Sequence, residues 1–75
     1  MSRRLLRVTY AEVCRVLERI GFVEVRQSGS HRIYRNAEGK RTTVPMHARV
    51  ILHPKLLSSI LRDAGLTVEE FEAAR

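Results

Sequence analysis

Between Gly21 and Pro45 the chain is interrupted twice by turn-forming residues, at Ser28-Gly29-Ser30 and at Asn36-Ala37-Glu38-Gly39. Those two interruptions decide most of what it can fold into. A parallel crossover takes about a dozen residues or more, so runs separated by such short turns pair antiparallel, as a meander. The runs are Phe22–Gln27, His31–Arg35 and the β-branched Lys40–Val44. Pro45 ends the third, because it has no N–H to give to a ladder. Alternation sends Val23 and Val25 to one side of the first strand, with Glu24 and Arg26 on the other. In the second strand it sets His31 and Ile33 against Tyr34. A lone tyrosine belongs with the core, which leaves His31 on the open side and Ile33 partly exposed.

Helical patterns flank the strands. Thr9-Tyr10-Ala11-Glu12 is a capping box, with Val8 and Val13 spaced as its hydrophobic staple. Val13, Val16, Leu17 and Ile20 then form one apolar stripe, and Gly21 stops the helix. Glu12, Arg15, Glu18 and Arg19 read as its solvated face. Pro54 suits a first helical position, with His53 as its cap. Leu56, Leu57, Ile60, Leu61 and Ala64 make a second stripe that Gly65 closes. Thr67-Val68-Glu69-Glu70 is another capping box, stapled by Leu66 and Phe71, and it starts a short helix from Val68 to Ala74. The expected order is helix, three strands, helix, short helix, an α+β domain with one layer of helices on one face of an antiparallel sheet. At 75 residues this is one domain, 1–75, with a modest core, so any site lies on an open surface or in a shallow groove.

Charge narrows the partner. The chain carries 14 Lys and Arg against 8 Asp and Glu, a net +6. From Arg26 to Lys55 the bases are Arg26, Arg32, Arg35, Lys40, Arg41, Arg49 and Lys55, and the only acid is Glu38. The whole net charge therefore sits in the middle segment, as suits a polyanionic partner such as nucleic acid, or an acidic protein. Cys14 is the only cysteine, so no disulfide framework is expected, and a reduced, cytoplasmic setting follows. No apolar run is long enough for a signal peptide or a membrane span. The sequence contains no P-loop, no dinucleotide fingerprint, no paired spacing of zinc ligands and no close carboxylates for Mg²⁺, so no metal and no cofactor is expected.

Chemistry falls to the histidines. His31, at a strand start beside a glycine turn, is held yet accessible, and imidazole both accepts and donates a proton near neutral pH. RNA cleavage by its own 2′-hydroxyl needs one proton removed and one supplied, and no metal. Arg26, Arg32, Lys40 and Arg41 are the candidate phosphate contacts, and Ser30 is a candidate to orient His31 or to bind a phosphate oxygen. His47 and Ser30 are both candidates for a second catalytic group. The bland readings are a solvated histidine, solubilising charge and a serine that merely forms a turn. Cys14 reads as packing rather than as a nucleophile.

Four segments carry a family resemblance. They are Leu17-Glu18-Arg19-Ile20-Gly21-Phe22; Arg26-Gln27-Ser28-Gly29-Ser30-His31, followed after two residues by Tyr34; Val44-Pro45-Met46-His47; and Leu57-Ser58-Ser59-Ile60-Leu61-Arg62-Asp63-Ala64-Gly65-Leu66. In this order the chain resembles the HicA-type toxins of bacterial toxin–antitoxin systems over Thr9 to Phe71. The resemblance implies a double-stranded-RNA-binding-domain-like fold and His31 as the catalytic residue of a metal-independent mRNA endoribonuclease. It also implies a HicB-type antitoxin that covers the active face. Such antitoxins often carry a DNA-binding domain, so the pair would repress its own operon. The chain departs from the family at Leu52-His53-Pro54-Lys55-Leu56, where a glycine and a small hydroxyl residue are usual. Two other readings share the same residues: a non-catalytic module for structured RNA, and a degenerate toxin acting only through its antitoxin complex.

Overall fold

The computed structural model describes residues 8–46 and 51–75. The elements run α1 (Tyr10–Arg19), β1 (Val23–Ser28), β2 (His31–Arg35), β3 (Arg41–Pro45), α2 (Pro54–Ala64) and α3 (Val68–Ala74). The three strands form one antiparallel sheet in the order β1-β2-β3. This is the α+β, double-stranded-RNA-binding-domain-like arrangement expected from the sequence.

The caps form as the sequence dictates. Thr9 and Glu12 exchange hydrogen bonds with each other's backbone N–H at 3.2 and 3.0 Å, and Thr67 and Glu70 do the same at 3.0 and 2.8 Å. The carboxyl of Glu12 is held below its ordinary range, chiefly by the Thr9 N–H it accepts. His53 caps α2 through Nδ1, which accepts the Lys55 N–H at 3.1 Å. Pro54 follows at the first helical position, where a missing N–H costs nothing. The departure at Leu52–Leu56 thus still supplies a capped helix. Its preceding segment is tied down by Leu52 N–H donating to the Val8 carbonyl at 2.8 Å and by a bridge between Thr9 and Ile51.

The core lies between the helices and one sheet face. Val13, Val16 and Leu17 of α1, Leu57, Ile60 and Leu61 of α2 and Phe71 of α3 bury against Tyr34 and Val44. Tyr34 is fully buried, and Ile33, one residue before it, is half-buried. Thr42, the buried polar residue of β3, donates its hydroxyl to the Ile60 carbonyl at 3.0 Å and so ties β3 to α2. The face of α1 expected to be merely solvated makes longer-range contacts. Glu18 Oε2 accepts the Tyr34 hydroxyl at 3.4 Å, and Arg19 donates to the Ala74 carbonyl at 3.1 Å.

The sequence reading of β1 is corrected as well. Strict alternation along β1 fails, because the register shifts between Glu24 and Arg26: Glu24 pairs with Tyr34 and Arg26 with Ile33. Val25 is the extra residue of a β-bulge. Arg26 therefore leaves the side of Glu24 and joins Val23 and Ile33.

Candidate functional site

Residues directly opposite each other in an antiparallel pair share a face, so the register maps the open side of the sheet. Its rows are Ser28, His31 and Pro45 at the hairpin end; Arg26, Ile33 and Thr43 in the middle; and Val23, Arg35 and Arg41 at the far end. The other side carries Gln27, Arg32 and Val44, then Glu24, Tyr34 and Thr42. Each face follows from the burial of Tyr34: once the tyrosine turns to the helices, His31 turns away from them.

Local chemistry fixes the hairpin that presents His31. Gly29 and Ser30 form a two-residue loop, and Gly29 adopts φ 57°, a left-handed conformation that costs glycine little. The Ser30 carbonyl accepts the Met46 N–H at 2.6 Å, which extends the β2–β3 pairing past Pro45. His31 is thus clamped on both sides by strand pairing, to Ser28 and to Pro45, while its own residue remains exposed.

The candidate site residues do not all gather. Arg26 and Arg41 share the open face with His31. At about 3.3 Å per residue, the Arg35–Arg41 row lies about 13 Å along the sheet from the His31 row. Arg32 lies on the helix-facing side. Its buried Nε sits 4.0 Å from Glu24 Oε1, and the nearby Tyr34 oxygen and Glu24 both favour its charged form. Lys40 also leaves the open face. Its stem lies over Gly65, whose φ of 76° ends α2, and a Cβ built there would come within 2.7 Å of Lys40 Cε. An ammonium at that place also suits the negative end of the helix dipole. Ser30 occupies the turn itself, and His47 lies outside the described residues.

Two open-face residues were not among the candidate contacts. Arg35 was legible from alternation, being four residues beyond His31 on the same strand. Ser28 was not, because the sequence places it in the turn, whereas the two-residue loop Gly29-Ser30 leaves it as the last residue of β1, paired with His31. Among the described residues no hydrogen bond or ion pair engages the side chains of His31, Arg26, Arg35 or Arg41.

Beneath the sheet, Cys14, Tyr34 and Arg32 make a contrasting polar cluster. Burial pushes the Cys14 thiol up, and burial together with Cys14 pushes the Tyr34 hydroxyl further up. Both are therefore neutral at physiological pH. Cys14 packs in the core rather than acting as a nucleophile, as expected. Among the described residues no helix is long and apolar enough to cross a membrane.

The comparisons with known proteins fit this architecture. No curated protein matches the chain. The family model described as the HicA toxin of bacterial toxin–antitoxin systems matches residues 10–66, a span from the start of α1 through the sheet to the end of α2. The chain therefore belongs to the HicA toxin family and is the toxin component of a bacterial toxin–antitoxin system, with an antitoxin as its partner.

Proposed function

We propose that this toxin is a metal-independent endoribonuclease that cleaves mRNA on the open face of its sheet and so inhibits translation. The observation that carries the reading is the place of His31, exposed at a hairpin end paired on both sides, on a face whose described charged side chains are all arginines. In the proposed reaction the 2′-oxygen of one nucleotide attacks the adjacent phosphorus and the 5′-oxygen of the next leaves. The products are a 2′,3′-cyclic phosphate and a free 5′-hydroxyl. His31 serves as the general acid or base for one of the two proton transfers. Arg26, one row along the face, neutralises the phosphate, and Arg41 with Arg35 binds the strand farther on. Arg32 and Lys40 belong to the other side and support the fold that carries these groups. Ser28, facing His31 across the hairpin, joins Ser30 and His47 as a candidate to orient the imidazole or supply the second group. The partner in this reading is a HicB-type antitoxin that covers the same face, and the domain spans 1–75.

His31→Ala tests the reading. Loss of a general acid or base lowers the rate by about 10²- to 10⁴-fold. Because His31 is exposed, its removal leaves the thermal unfolding curve in place. End-labelled single-stranded RNA, incubated with and without EDTA, gives the readout. Full cleavage by the folded variant, or cleavage that EDTA stops, would sink the mechanism.

A further inference from the structure

The far end of the open face holds a shallow groove of about 320 Å³, lined by Gly21, Val23, Val25, Arg35, Asn36 and Ala37. Val23 and Val25 are the most exposed large apolar residues of the described chain, at 59% and 51%. Two solvent-facing valines beside an arginine make a small apolar floor with a planar cation at its rim. We infer that this groove takes the base of an unpaired RNA nucleotide a few positions along the strand from the phosphodiester at His31.

The inference rests on the RNA reading of the same face and extends it to a second contact. Three observations support it. The groove is continuous with the His31 row, because Val23 pairs with Arg35 on the strand that begins at His31. Between them stands Arg26, paired with Ile33, so the face presents an acid–base group, then a cation, then an apolar pocket along one line. That order suits an RNA strand that lies with its phosphates on the arginines and one base turned down. The separation of about 13 Å spans about four nucleotides of a stacked strand, and fewer when the strand is extended.

The aromatic residues give the third observation. Proteins usually stack unpaired bases on aromatic rings or on arginine guanidinium planes. Here Phe22, Tyr34 and Phe71 are buried, and Tyr10 packs against the core. None is offered to the open face, so the valine floor with the Arg35 guanidinium at its rim is the surface left for a base.

The test uses short 2′-O-methyl RNA oligonucleotides, which lack the attacking hydroxyl and stay intact, with a single abasic site moved along them. Affinity is read by fluorescence anisotropy. Wild-type protein should lose about tenfold in affinity when the abasic site falls at one particular position. In Val23→Ser/Val25→Ser the intact oligonucleotide should bind more weakly and that positional penalty should vanish. Arg35→Lys, which keeps the charge but loses the plane, should also lose the penalty, and it carries the test if the double variant does not fold. A flat abasic profile in the wild type, or a profile unchanged by these variants, overturns the proposal. So does a wild-type dimer that becomes monomeric in the double variant with RNA affinity unchanged, since the groove is then a contact between copies of the chain. Cleavage of unmodified RNA is scored separately. An uncut RNA with the expected abasic profile removes the nuclease reading and leaves the groove standing.

Discussion

The two faces of the sheet are built from the same strands, and they treat charge in opposite ways. On the side under the helices Arg32 lies by Glu24, Tyr34 donates to Glu18 and Thr42 donates to Ile60. On the open side Arg26, Arg35 and Arg41 share a face with an exposed histidine, with no carboxylate in the rows they occupy. Burial accounts for the first pattern in the bonds of Tyr34 and Thr42, because an unpaired polar group under the helices costs stability, and Arg32 Nε, 4.0 Å from Glu24, has the ion pair alone. Nothing in folding requires the second. Arginines placed side by side without acids gain no stability and repel one another, so their arrangement points to an anionic ligand rather than to the needs of the fold.

The sharpest way to break this contrast is to remove the residue that sets it. Tyr34→Ala should cost about 3–5 kcal/mol, the usual loss for truncating a buried aromatic side chain. That approaches the whole stability of a domain of this size, and chemical denaturation followed by circular dichroism should show it. A variant that unfolds at the wild-type midpoint would mean that Tyr34 does not anchor the sheet. An intermediate effect separates the arginines. Arg26→Ala should leave the unfolding midpoint in place and lower the slope of log affinity against log salt by about 0.7, the value for one phosphate contact on a single strand. Arg32→Ala should do the reverse, lowering thermal stability with the salt slope kept. If Arg32→Ala instead reduced the slope, the assignment of the two faces would need revision.

The smallest effect concerns pH. Tyr34 and Cys14 both have their proton-losing forms disfavoured by burial, so their values in the fold lie above the ordinary 10.0 and 9.0. Their contribution to stability is complete below those ordinary values. It is lost as pH rises past them, where the unfolded chain releases protons that the folded chain retains. Tyr34→Phe should flatten the decline above about pH 10 relative to the wild type. An unchanged alkaline decline in that variant would assign it to other groups.

The sequence was most legible where one residue's chemistry determines local geometry. Both capping boxes, the glycine stops, the His53 cap and the outward turn of His31 follow from short-range rules that the structure obeys. The lateral arrangement of the basic residues was less legible. Charge along the chain grouped Arg26, Arg32, Lys40 and Arg41, whereas the fold divides them. Arg32 follows Tyr34 inward by alternation, and Lys40 is drawn to the end of α2 by space that only Gly65 leaves open. The bulge at Val25 was invisible for another reason. Val-Glu-Val-Arg alternates well enough to read as a regular strand, and the extra residue appears only when β1 must fit against β2.

That bulge also bears on how the protein survives alone. Among the described residues β1 is a border of the sheet, six exposed residues with one row of backbone groups not taken up by β2. Such a border invites other strands to stack on and grow into fibrils, most of all when it carries exposed valines. An unpaired residue in mid-strand bends and overtwists the backbone, which spoils the flat, regular template that stacking needs. A HicA toxin separated from its antitoxin would then resist self-association through the irregularity of its edge, while its valines and arginines remain free for a ligand.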